Sequence, residues 1–392
     1  MVDASEGTCL KMSLIWVNYP AETYTPTSSG ALATIIWECS KQAVSEGIVP
    51  TVITRPSPFA SFAVPEICFV PYPRLPSNRL LKRALGAHRR VTGWEHLRHR
   101  AYAIRVAAAI SALNRPADPL VLFNDPAMAV FLRGRFPERW IVHWFENQHR
   151  APSKWVRDQF ASSVNVTLGV SDFTSAWISS HYSVPTVKTL YNGVDTQLFS
   201  PTNEMNDGPP IIGFVGRTGI EKAPDLLLKA AIKLSARDRN FALQLVGSNH
   251  WDRFEFDEYQ RELRELSATL EASGVKTFHT GHVGRAELPE VLRRTQIHVV
   301  PSRWDEPFGL TTVEGMATGL AIIASATGGT PEVVGEAGLL FAKDDVEGLA
   351  EHLYTLLHEP EIRIRYMKAA RKRAEQFTWR RTWQELKVHS GL

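Results

Sequence analysis

The chain has 392 residues, of which 44% are hydrophobic and 22% charged, with a formal net charge of +3. That length exceeds one typical core, so two domains are expected of a globular chain, and so small a charge excess gives no ground for a general polyanion-binding role. Three widely spaced cysteines (Cys9, Cys39, Cys68) without a Cys-x-x-Cys argue for reduced thiols, and against a disulfide frame or a zinc site.

Along the chain, MVDASEGTCLKM shows no apolar core of signal-peptide length, and no run of about 18 apolar residues follows anywhere, so a cytoplasmic protein is expected. Short apolar runs alternate with longer helical stretches. Predicted strands of the first half are SLIWVN, TVIT, ICFV, LVLFN, WIVHWF, VTLGV and VKTLY. A polar, breaker-rich segment, PTNEMNDGPP (201–210), is the best boundary. The second half offers IIGFVG, ALQLVG, KTFHT, IHVVPS, AIIAS and GLLF. Strands alternating with helices predict parallel sheets covered on both faces, hence two Rossmann-like domains. Residues 360–386 read as helical, with Trp379 and Trp383 four apart on one face. Facing parallel sheets place a ligand crevice at the carboxyl ends of the strands, which here is the cleft between the domains.

EPFGLTTVEGMATGLAIIAS (306–325) carries the most chemistry. Gly309 lets backbone approach backbone or ligand closely. Residues 310–318 read as a short helix whose free N–H groups, at Phe308, Gly309, Leu310 and Thr311, form an anion site suited to phosphate. Glu306 stands before that helix and Glu314 in its second turn. Gly216-Arg217 follows a predicted strand, and Lys222 comes before the next helix. An arginine binds a diphosphate bidentately and a lysine acts as a point charge. No Asp-x-Asp metal clamp occurs in the sequence.

These residues resemble the signature of retaining glycosyltransferases of family four, which have the GT-B fold. IIGFVGRTGIEKAPDLLLKA (211–230), TLYNGVDTQLFSP (189–201) and GGTPEVVGEAGLLF (328–341) extend the resemblance closely, and PTSSGALATIIWECSKQA (26–43) extends it more loosely. The resemblance implies an acceptor domain over 1–200, a donor domain over 201–376, and a last helix, 377–392, crossing back to the first domain. It implies transfer of a hexosyl unit from a UDP- or GDP-sugar to a glycan, lipid-linked or small-molecule acceptor, as in polysaccharide biosynthesis, with retention, by front-face attack and without a metal. By the same carry-over Arg217 and Lys222 hold the diphosphate, Glu314 the ribose and Glu306 the reacting centre. Val283 lies against the base, an ordinary core valine being the plain alternative, and Gly30 opens a helix near the diphosphate and acceptor.

Two departures stand out. The family usually has two adjacent glycines where this chain has Ser29-Gly30. It also places a histidine at the end of a first-domain strand, where RWIVHWFENQHR (139–150) aligns Glu146. Glu146 replaces it, His149 reaches back from the loop, or the site works without it; alignment favours Glu146. A buried His143 satisfied within the sheet is a better reading than a catalytic one. The Arg-, Lys- and His-rich residues 79–105 are either a solvated helix face or a peripheral contact with anionic lipid at the inner membrane face. Rival readings are a nucleotide-sugar epimerase on the same fold and a non-catalytic scaffold. A nicotinamide enzyme is disfavoured, since the glycines at Gly213, Gly216 and Gly219 miss the Gly-x-Gly-x-x-Gly spacing.

Overall fold

The computed structural model describes residues 13–26, 30–63, 66–73, 97–148, 153–202, 208–249 and 256–392. Ser29, His149 and residues 79–96 of the basic stretch, together with 203–207 of the expected boundary, lie outside the described residues.

The first domain runs β1 (Ile15–Val17), α1 (Ala31–Ser45), β2 (Thr51–Thr54), β3 (Glu66–Phe69), α2 (Leu97–Leu113), β4 (Leu120–Phe123), α3 (Pro126–Arg135), β5 (Ile141–Phe145), α4 (Lys154–Ser163), β6 (Val166–Gly169), α5 (Asp172–His181) and β7 (Lys188–Thr189). The second runs β8 (Ile211–Val215), α6 (Pro224–Ser235), β9 (Ala242–Val246), α7 (Glu258–Ala272), β10 (Lys276–Gly281), α8 (Leu288–Arg293), β11 (Ile297–Val300), α9 (Leu310–Ala317), β12 (Ala321–Ser325), α10 (Thr330–Val334) and β13 (Leu339–Phe341), followed by α11 (Val346–His358), α12 (Pro360–Ala374) and α13 (Trp379–Ser390).

The sheet orders are β3-β2-β1-β4-β5-β6-β7 and β10-β9-β8-β11-β12-β13, parallel at every pairing among the described residues. Central strands such as β4, β5, β9 and β12 are buried along their whole length, as unbroken apolar runs covered on both faces must be. In each sheet the strand order reverses beside the first strand, between β1 and β4 and between β8 and β11. Crossovers leave in opposite directions there, and their loops part to form a crevice.

Each sheet lies between two apolar layers. The layer around Trp16, Ile36 and Trp144 also contains Trp379, Trp383 and Leu386, so α13 packs on the first sheet although it follows the second in sequence. The stretch that reads as helical over 360–386 is broken between α12 and α13, close to where the resemblance starts the last helix. Thr378 pairs as an isolated bridge with Val194, and the Val194 N–H donates to the Phe377 carbonyl at 2.9 Å. Thr378 then caps α13, accepting from the Arg381 N–H at 3.2 Å. The break turns the chain between the domains at the point where 192–199 crosses the other way. A further apolar layer, holding Val170, Val194 and Phe199 against Phe308, Val313 and Phe377, joins the two halves.

Candidate active site

A cavity of about 970 Å³ lies between the two sheets, lined by loops that leave the carboxyl ends of β1, β2, β5, β8, β9, β10 and β11. Gly30, Glu146, Arg217, Lys222, Val283, Glu306, Phe308, Gly309, Leu310, Thr311 and Glu314 all line it. These residues come from segments more than 280 positions apart.

On the second-domain wall the β8 exit turns back at Lys222, whose N–H donates to the Gly219 carbonyl at 3.0 Å. Ala223 adopts a left-handed φ of 53°, and Pro224 starts α6. This turn is clamped from the β11 exit. The N–H groups of Arg303 and Trp304 both donate to the Glu221 carbonyl, at 2.9 and 3.0 Å. The Arg303 guanidinium grips buried Asp225 with two hydrogen bonds, 2.7 and 2.8 Å. Tyr259 Oη and Lys229 Nζ complete the set around Asp225, at 2.5 and 2.9 Å. Hydrogen bonds from Arg303, Tyr259 and Lys229 hold the Asp225 carboxyl well below the usual carboxylate range in spite of its burial.

The clamp sets Lys222 against Glu306. Lys222 Nζ lies 2.5 Å from Glu306 Oε1, and Ser302 Oγ donates to the same oxygen at 2.5 Å. Behind Glu306, its carbonyl accepts the Gly329 N–H at 2.6 Å, so the segment after β12 buttresses the 305–309 turn. Gly309, with a φ of 88°, is the N-cap of α9. Only glycine takes that conformation without strain, and it brings the first N–H groups of the helix onto the cavity wall. Thr312 and Val313 N–H reach back to the Gly309 carbonyl. Those of Leu310 and Thr311 have no partner within the helix, which concentrates partial positive charge beside Lys222.

Glu314, one turn further on, is 2% exposed and faces Arg285 from the β10 exit, with Nη2 at 2.8 Å from Oε1. Burial pushes the Glu314 carboxyl up while Arg285 pulls it down. Arg217 pairs with Glu221 at 2.8 Å, both half-exposed at the cavity edge. Each of these three cations therefore has a carboxylate partner. Val283 lines the cavity and also packs against the apolar layer under α9.

The first-domain wall has a different character. Glu146 follows β5, is 6% exposed, and is anchored by its own N–H, which donates to Asn124 Oδ1 at 2.8 Å. Its Oε2 accepts from Asn192 Nδ2 at 2.7 Å. Burial pushes the Glu146 carboxyl up to about 8, and the Glu22 charge adds to the rise. Glu22 follows β1, and its carboxylate sits against the first turn of α1, beside Gly30, where the N–H groups of Leu32, Gly30 and Ala33 favour its ionised form. A Cβ on Gly30 would lie 2.6 Å from Glu22 Oε1, so glycine is needed at the N-cap of α1 to admit that carboxylate. Burial raises Glu22 to about 7, against the lowering effect of those N–H groups and of Arg55.

His143 does not line the cavity. It is fully buried in β5 between Phe145 and Phe160, at ring separations of 4.3 and 5.1 Å. Glu22, Arg55, Asn192, Arg285 and Ser302 are cavity residues that the sequence reading did not assign. Asn192 stands within TLYNGVDTQLFSP, and Arg285 lies two positions after Val283, in the loop beyond the predicted strand KTFHT. Glu22 carried no local signal.

Residues 195–373 match the family model for glycosyl transferases group 1. Spore coat protein SA of Bacillus subtilis is 30% identical over 292 residues, covering 69% of this chain and 77% of that protein. The D-inositol 3-phosphate glycosyltransferase of Saccharomonospora viridis is 32% identical over 214 residues, which are 51% of this chain and 48% of that one, so the chain spans about half the length of that relative. Among solved structures, Anabaena HepE, in complex with UDP and glucose, superposes with a TM-score of 0.71 at 16% identity, over 97% of this chain and 100% of that one. That likeness establishes the GT-B fold.

Proposed function

The chain belongs to the glycosyl transferases group 1 family, and on that premise we propose that it moves a hexosyl unit from a UDP- or GDP-sugar to a hydroxyl of an acceptor, with retention of configuration. The observation that carries this reading is the convergence of Lys222, Glu306 and the α9 N-terminus in one cavity, with Arg217 at its edge and Glu146 on the opposite wall.

Each group has a task in that reaction. As the glycosidic bond breaks, charge builds on the departing diphosphate. Lys222, Arg217 and the N–H groups of Leu310 and Thr311 are aimed where that charge develops, which lowers the barrier most when they are fixed beforehand. These cations supply the neutralising charge without a metal. Glu314, with Arg285 beside it, suits paired ribose hydroxyls. Glu306 holds Lys222 in place and supports the reacting carbon. In front-face attack the leaving diphosphate takes the acceptor proton, so no protein carboxylate acts as the nucleophile. Glu146, standing where the family's histidine normally does, forms a hydrogen bond with a sugar hydroxyl. Closure of the two walls excludes water and limits donor hydrolysis.

The acceptor is a glycan, a lipid-linked glycan or a small metabolite. Residues 79–105 serve as a contact with an anionic membrane surface, and liposome co-sedimentation that drops when Arg89 and Arg90 are changed to Glu is the expected result. The whole assignment is tested by incubating the protein with UDP- and GDP-sugars. Nucleotide release that depends on an added acceptor, with the product linkage retained, supports it. An isomeric nucleotide sugar formed from donor alone would establish an epimerase instead.

A further inference from the structure

We propose that Glu22, acting with Glu146, is a specificity-determining residue that selects an acceptor bearing an amine and rejects a phosphorylated one. The proposal rests on the glycosyltransferase reading of the same cleft and names the chemistry of its second substrate.

Hydrogen-bonding groups on the first-domain wall are out of balance. Glu22 Oε2, Glu146 Oε1 and Asn192 Oδ1 are buried oxygens with no hydrogen-bond partner among the described residues, and all three residues line the cavity. Asn192 already spends its amide donor on Glu146 Oε2. Buried acceptors left unmatched cost free energy, so their natural complement is a donor-rich ligand group. An ammonium offers three N–H donors, a hydroxyl one, and an ionised phosphate ester none.

Charge points the same way. Across the cleft the cations are matched one to one, Lys222 with Glu306, Arg217 with Glu221 and Arg285 with Glu314. Among the described residues of the first-domain wall two carboxyls, Glu22 and Glu146, stand against one guanidinium, that of Arg55. When both are ionised the wall carries one unbalanced negative charge. Burial makes that charge costly, as the raised position of both carboxyls reflects. A bound ammonium removes the cost.

The end of α1 supplies the exclusion. A helix N-terminus is a ready phosphate site. Here Glu22 occupies it with a carboxylate of the chain itself, and Gly30 is the residue that makes room. An anionic acceptor group would meet two carboxyls and a helix end already taken.

The test is titration calorimetry on the full chain loaded with UDP or GDP, using three glucoses matched at the primary carbon: the amine, the alcohol and the phosphate monoester. The amine is expected to bind at least about tenfold more tightly than the alcohol, and the phosphate to give no heat. Glu22→Gln keeps the shape and removes the charge. It should bring amine and alcohol within about threefold, with nucleotide affinity unchanged. Glu146→Gln is the second variant should the first not fold, and it should erode the same preference. Equal binding of amine and alcohol, tighter binding of the phosphate, no binding of any probe to nucleotide-loaded protein, or an amine preference that survives both substitutions overturns the proposal. So does a magnesium- or calcium-induced rise in melting temperature that Glu22→Gln abolishes, since the pair would then be a metal site. Failure of nucleotide loading is a separate result and takes down the glycosyltransferase reading itself.

Discussion

Glu306 shows how one side chain ties several demands together. Its Oε1 accepts both Lys222 Nζ and Ser302 Oγ, and its carbonyl accepts the Gly329 N–H. Replacing it by Gln keeps the volume but gives Lys222 a neutral partner. Glu306→Gln and Lys222→Ala are each expected to lower turnover at least about tenfold, or about 1.4 kcal/mol in barrier. Steady-state rates at saturating donor check this, and wild-type turnover in both contradicts the assignment. Glu146 gives a prediction about pH. Its carboxyl, raised from 4.5 to about 8, keeps a proton in the folded chain that the unfolded chain has lost. Over that interval the native state binds more protons, so this group's contribution to stability falls as pH rises. Glu146→Gln removes the titration and keeps an acceptor for Asn192. The melting temperature of the variant relative to wild type should therefore climb between about pH 5 and about pH 8. A constant difference across that range contradicts the buried, coupled state of Glu146.

Single residues also mark the limit of what the sequence discloses. Glu306, Glu314, Arg217 and Lys222 belong to contiguous motifs in which spacing and type specify geometry. Glu22 does not. It is an acid in a loop, and only the fold brings it onto the first turn of α1. The lone Gly30 was the legible half of that contact.

At the scale of elements, the parallel sheets were legible because a strand buried on both faces must be an unbroken apolar run. Each of the thirteen strands among the described residues overlaps a segment read as a strand from the sequence, although β3, β7 and β10, at the sheet edges, are largely exposed and are not unbroken apolar runs. The resemblance starts the last helix at 377, but the physical cause of the break between α12 and α13 was not legible. Residues 375–378 (EQFT) contain neither Gly nor Pro, and the interruption comes from a long-range pairing with Val194. The clamp on the β8 exit was equally hidden, since Asp225 and Arg303 are 78 positions apart. It predicts a positioning effect. Arg303→Leu leaves Asp225 buried with part of its shell, and breaking such a pair costs about 3 kcal/mol, at the low end because Arg303 is partly exposed. The melting temperature should fall, and affinity for nucleotide should weaken because Lys222 loses its fixed turn. A variant that melts lower yet binds nucleotide as well as wild type would show that the clamp serves stability alone.

Over the whole molecule, the chain passes between the domains twice and ties them at both crossings. Arg371 donates to the carbonyls of Thr196, Phe199 and Ala317, with the first at 3.0 Å. Glu332 of α10 accepts from the N–H groups of Asp172 and Phe173 at the start of α5, at 2.8 and 3.0 Å. The Tyr191 hydroxyl donates to the same carboxylate at 3.0 Å. These contacts tie the two domains together, while the cavity walls carry the loops of the candidate site. Trp383 on α13 is fully buried in the first-domain layer. Trp383→Ala should cost about 3–5 kcal/mol, as loss of a large core side chain does. Chemical denaturation should show that loss chiefly in the transition of the first domain.

The central claim is that cations and free N–H groups from the second domain converge to hold a nucleoside diphosphate. Calorimetry with UDP and GDP on wild type, Lys222→Ala and Arg217→Ala tests it directly. One nucleotide should bind wild type and bind each variant at least about tenfold more weakly, with the fold intact. No heat from either nucleotide on folded wild-type protein, or equal affinity in all three, would contradict it.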